Sequence, residues 1–115
     1  MKIRTSELDG ETLVFEIEAG DDNEFVKMLD GSKPNGFAVF GPSVPIPFAV
    51  IDGRIIDSGL TQDHLLAVEA HELGHIRNNS RDEPVAEAFA IELLGMSGHS
   101  EAQQILISRG IVEVA

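Results

Sequence analysis

Between Gln62 and Arg77 the chain reads as a helix that is apolar over a broad surface, yet it carries His71, Glu72 and His75 in its second half. Thr61 suits the N-cap, and Asp63 lies in the first turn, where the helix dipole favours an anion. Leu65, Leu66, Ala67, Val68, Ala70, Leu73 and Ile76 make the apolar surface, and helices this apolar are buried ones. Buried polar side chains need partners, and one metal ion satisfies three at once. The spacing H-E-x-x-H puts His71 and His75 one turn apart on one face, where both imidazoles can bind a single zinc ion. Glu72 lies one step round the helix, within reach of a water on that metal. Gly74 costs about 1 kcal/mol of helix stability relative to Ala, and its missing side chain lets another element pack close.

Two histidines make an incomplete zinc site, since a catalytic one has three protein ligands and an open position. The polar turn Asn78-Asn79-Ser80-Arg81-Asp82 is short, so the next helix is an antiparallel neighbour. Pro84 suits its first position. Glu83 and Glu87 are four apart and share a face of it. Glu83 is the expected third ligand. Glu87 then accepts the free ring N–H of a histidine and fixes its tautomer. If the helices meet one turn differently, Glu87 is the ligand instead.

The rest of the chain supplies a small sheet and more helix. Residues 3–18 read as two strands around Asp9-Gly10, with Leu13, Phe15 and Ile17 on one apolar face. Glu24 to Leu29 reads as a short helix, with Gly20 to Asn23 as a break able to cap it. Phe37 to Phe40 is a short strand. Gly41 to Pro47 holds three prolines and is excluded from a sheet interior. Phe48-Ala49-Val50-Ile51, Asp52-Gly53 and Arg54-Ile55-Ile56-Asp57 read as a second hairpin. After the glutamate helix, which Gly95 ends, Ser100 to Gln103 matches a capping box for a last helix that Gly110 stops. Residues 111–115 are a tail, able to add a strand.

Composition narrows the function. The chain has 115 residues and no cysteine, so it forms one domain (1–115), and any metal must use His and carboxylate ligands. Its net charge of −12 disfavours nucleic acid and anionic membranes as partners. No apolar run is long enough to span a bilayer, and Met1 to Ser6 lacks the apolar core of a signal peptide, so a cytoplasmic location is expected. The sequence carries no signal of oligomeric state.

His71-Glu72-Leu73-Gly74-His75 followed by Glu83-Pro84-Val85-Ala86-Glu87-Ala88-Phe89-Ala90 resembles the HExxH…ExxA(D/N)xxA signature of gluzincin metallopeptidases. The run Phe89 to Leu94 is similar to the FAxxLL segment of the ImmA/IrrE-like branch, and the chain's size resembles that of the minigluzincins. Glu87 stands where that pattern has Asp or Asn, and the spacing from His75 to Glu83 is shorter than in most of the family. The resemblance implies a zincin-like α+β fold, in which a small, mostly antiparallel sheet packs on an active-site helix and a following glutamate helix. It implies Zn2+ on His71, His75 and Glu83, with Glu72 as general base and then acid.

The expected function is therefore zinc-dependent hydrolysis of a peptide or protein substrate lying along an edge strand, either Phe37 to Phe40 or the hairpin from Phe48 to Ile56. His99 and Arg54 are candidate donors to the developing oxyanion. His64, two turns before His71, is too far to ligate. The alternative is a non-catalytic domain that a metal staples together and that binds a partner protein. A tail lying in the cleft, with Glu113 near the metal, would make the enzyme latent.

Overall fold

The computed structural model describes residues 1–31 and 35–109. In chain order the elements are strand β1 (Lys2–Thr5), strand β2 (Leu13–Ile17), helix α1 (Glu24–Gly31), strand β3 (Gly36–Val39), strand β4 (Phe48–Asp52), helix α2 (Gln62–Asn78), helix α3 (Glu83–Met96) and helix α4 (Ser100–Ser108). The strands form one sheet in the order β1-β2-β4-β3. The outer pairings are antiparallel, whereas β2 and β4 run parallel, with Val14 beside Ala49 and Phe15 beside Val50. The result is an α+β fold with a mixed sheet.

Both faces of this sheet are covered. Val14, Ala49 and Ile51 point into a core shared with Leu65, Leu73, Leu94 and Leu106 of the three later helices. Ile17 and Val50 point the other way, onto Val26 and Leu29 of α1. Four phenylalanines fill this second layer, with Phe15 edge-on to Phe48 at 4.8 Å and Phe25 within 6.0 Å of Phe37. The alternation in β2 thus marks two covered faces rather than one, because α1 packs on one side of the sheet and the later helices on the other.

Local chemistry sets most boundaries. Asp9 accepts the backbone N–H groups of Glu11 and Thr12 at 3.0 Å, and Gly10 takes φ +73°, so the β1–β2 connection is a loop wider than a two-residue turn. Asn23 caps α1 by accepting the Val26 N–H at 3.1 Å. Thr61 caps α2, and His64 plays the part usually taken by Glu, its Nδ1 accepting the Thr61 N–H at 3.3 Å.

Three expectations are corrected. No hairpin follows β4: Gly53–Ile56 is a 3-10 turn. The Asp52 carboxylate accepts the backbone N–H and the guanidinium of Arg54, which gives the chain a local alternative to pairing. In addition, β4 already has a neighbour on each side, so a returning strand has no edge to join. Helix α3 continues past Gly95 to Met96, and the reversal comes at Gly98, at φ +78°. Helix α4 is capped by His99 without a side-chain bond, because Gln103 instead donates to the Ile91 carbonyl at 3.0 Å. The expected stop at Gly110 and the tail with Glu113 lie outside the described residues.

Helix α2 is held in place from both ends of the chain. Its Glu69, 3% exposed in the side chain, binds the Arg4 guanidinium and the Ser6 hydroxyl and so fastens the helix to β1. On the other side Gly74 meets α3. None of the described helices is long and apolar enough to cross a membrane.

Candidate metal centre

His71 and His75 leave α2 on one face, edge to face, with ring centroids 4.9 Å apart. Each ring is oriented by its Nδ1. His75 Nδ1 lies 2.7 Å from the Ser80 carbonyl oxygen, which can only accept, so this nitrogen carries a proton. His71 Nδ1 donates in the same way to the buried Glu87 carboxylate on α3. In neutral rings both Nε2 atoms therefore present lone pairs, and these two atoms face each other at 3.2 Å. Glu83, the first residue of α3, places Oε2 2.9 Å from His71 Nε2 and Oε1 2.9 Å from His75 Nε2.

Three electron-rich groups thus converge, an arrangement that either a bound cation or a proton on one ring stabilises. These separations are close to those between donor atoms that share one ion. Four ligands at zinc distances of 2.0–2.1 Å lie about 3.3 Å apart in a tetrahedron. One donor atom from each of His71, Glu72 and His75, all buried, also lies within 4.8 Å of the others, so the group could hold a metal. Glu83 is the exposed member, with its side chain 57% accessible, and it leaves one side of the group open to solvent.

Burial pushes the Glu72 carboxyl above the ordinary carboxylate range; His71 and His75 pull it back, and Glu83 adds to the rise. At His71, burial opposes the charged ring. The Glu87 hydrogen bond and the charges of Glu72, Glu87 and Glu83 together outweigh it, so the proton is held above the usual imidazole range.

A cleft of about 670 Å³ opens over the histidines. One wall is the edge strand β3, from Gly36 to Val39, and the other is α2 with Glu72 together with Glu83 at the start of α3. The strand comes close because Gly36 has no side chain. A Cβ there would lie 2.7 Å from Val68 Cγ1 and 2.9 Å from the Val50 carbonyl, with Glu72 Oε2 at 3.5 Å.

The structure brings together His71, Glu72, His75, Glu83 and Glu87, with Glu83 on the Nε2 side and Glu87 behind His71. It does not bring Arg54 or His99 to the cleft. Arg54 is bound by Asp52 and Asp30 beside α1, and exposed His99 heads α4. His64 is spent on the α2 cap. Sequence reasoning missed Arg81 and Arg109, which both line the cleft. Arg81 sits in the short turn between the two motif helices, a position that could have drawn notice. Arg109 follows α4 and approaches the buried Glu87 carboxylate at 3.9 Å, with no signal in its neighbours. No family model, no curated protein and no solved structure matches this chain.

Proposed function

We propose that this protein is a zinc-dependent peptidase of minimal gluzincin type, with a zincin-like arrangement of edge strand, active-site helix and glutamate helix. The observation that carries the reading is the meeting of His71 Nε2, His75 Nε2 and Glu83, each ring turned by a bond at its far nitrogen. His71, His75 and Glu83 would hold the zinc. When bound, it supplies Lewis acidity that acidifies a water and polarises a peptide carbonyl. Glu72 takes the proton released as the water attacks, and its raised proton affinity suits a base that must hold that proton. It then passes the proton to the leaving amine nitrogen, while the Glu87–His71 bond keeps the ring from turning. The substrate is a peptide or protein segment lying against β3, whose outer edge has no strand partner among the described residues. The protein would work in the cytoplasm.

Elemental analysis of the purified chain tests the first half, with about one zinc per chain expected. Glu72→Ala is expected to keep the zinc and lose peptide cleavage, whereas Glu83→Ala loses both. A chain that binds zinc and loses thermal stability with chelator, yet cleaves nothing, would instead be a metal-stapled binding domain.

A further inference from the structure

The protein carries twenty acidic residues against eight lysines and arginines, and nearly every described cation is matched to a carboxylate. Lys2, Arg4, Lys27, Arg54, Arg77 and Arg109 each approach one. Arg81 is the exception: among the described residues it pairs with no carboxylate. It also lines the cleft that holds His71, Glu72 and His75. An excess of acid elsewhere makes a lone unpaired arginine there a feature to explain.

Arg81 is not left to wander. Its guanidinium carbon lies 4.4 Å from the centre of the Phe40 ring. Phe40 in turn lies nearly parallel to the His75 ring, at 15° and 6.4 Å. A flat guanidinium on an aromatic ring offers one face to the ring and keeps its N–H edge free, and that edge matches the two oxygens of a carboxylate. Phe40 directly follows β3, so the free edge lies beside the end of the strand along which a substrate would run.

We infer that Arg81 is a specificity-determining residue that captures a carboxylate of the bound peptide, from an acidic side chain or from the C-terminus. This rests on the peptidase reading for the nature of the ligand. Arg109 is the poorer candidate because it approaches the buried Glu87. The selectivity runs against the net charge of the protein, so it must come from this contact and not from long-range attraction.

The test uses the zinc-loaded full chain carrying Glu72→Gln, titrated by calorimetry with short alanine peptides. One is blocked at both ends with a central glutamate, one has a free C-terminal carboxylate, and one is blocked and neutral. A carboxylate peptide is expected to bind about tenfold tighter than the neutral one, and which one does so identifies the source. Adding Arg81→Gln should cut that advantage to about twofold or less, while Arg81→Lys, which keeps charge without the flat stack, retains part of it. Melting curves of both variants separate loss of the contact from loss of the fold. A preference that survives Arg81→Gln, or no preference among peptides that bind, overturns the inference. Cleavage of neutral and acidic peptides alike by the unmodified chain would uphold the peptidase and remove the role of Arg81. Carboxylate-dependent binding without cleavage would do the reverse, and a failure of every peptide to bind overturns both.

Discussion

Gly74 on α2 faces Ala86 on α3 so closely that a Cβ on the glycine would lie 2.3 Å from the Ala86 carbonyl oxygen and 2.8 Å from its Cα. The obstructing atoms are backbone and cannot swing aside. This contact sets the distance between the two helices one residue before His75 and three residues after Glu83. Gly74→Ala gains up to about 1 kcal/mol of helix propensity. It should still destabilise the protein by about 1–3 kcal/mol, because overpacking forces the helices apart. Thermal unfolding measures the loss, and zinc affinity should fall with it as Glu83 withdraws from the two imidazoles.

Glu87 tests the orientation of His71. Its carboxylate is fully buried and binds the Nδ1 that must stay protonated if Nε2 is to ligate. Glu87→Ala should weaken zinc binding by about 10- to 100-fold, the usual cost of removing such a partner. Competition with a chromophoric chelator measures it, and unchanged affinity would show that the ring needs no such anchor.

The Glu69–Arg4 pair tests what holds α2 to the sheet. Arg4→Ala leaves the buried Glu69 carboxylate uncompensated and should cost about 3 kcal/mol, whereas Glu69→Ala leaves a part-exposed guanidinium that still has Glu16 and should cost less. The double variant should be less destabilised than the sum of the two, a double-mutant cycle read by denaturant unfolding.

The metal-free protein should lose stability as pH rises. Glu72 and His71 both hold protons more tightly in the folded chain than their ordinary values of 4.5 and 6.5 allow. A group whose folded pKa is raised contributes stability that is full below its unfolded pKa and is lost as pH climbs through the folded one. The metal-free melting temperature should therefore decline from about pH 4.5, with a second decline beginning near pH 6.5. Glu72→Gln should remove the first. With zinc present the slope should reverse, since the metal binds only deprotonated donors.

Much of this architecture was legible because it is local. Thr61, Pro84 and the spacing of His71 and His75 are short-range signals, and each element they predict is present. The room left by Gly74 was legible too. The hairpin after β4 was misread because Asp52-Gly53 suits a turn between strands, whereas the outcome turned on Asp52 binding Arg54. The parallel pairing of β2 with β4 joins residues 35 positions apart (Leu13 with Phe48), and no local pattern announces it. Around the candidate site, the carboxylates and imidazoles could be named from spacing alone. The Ser80 carbonyl could not, because every residue has one, and Arg109 arrives only through the packing of α4.

Gly36 opens the edge strand and also walls in Glu72. Any bulk at position 36 would press on the Val68 side chain and the Val50 carbonyl first and reach the Glu72 carboxylate next. Substitutions that thicken this seam should therefore push β3 away from α2 and widen the gap above the carboxylate.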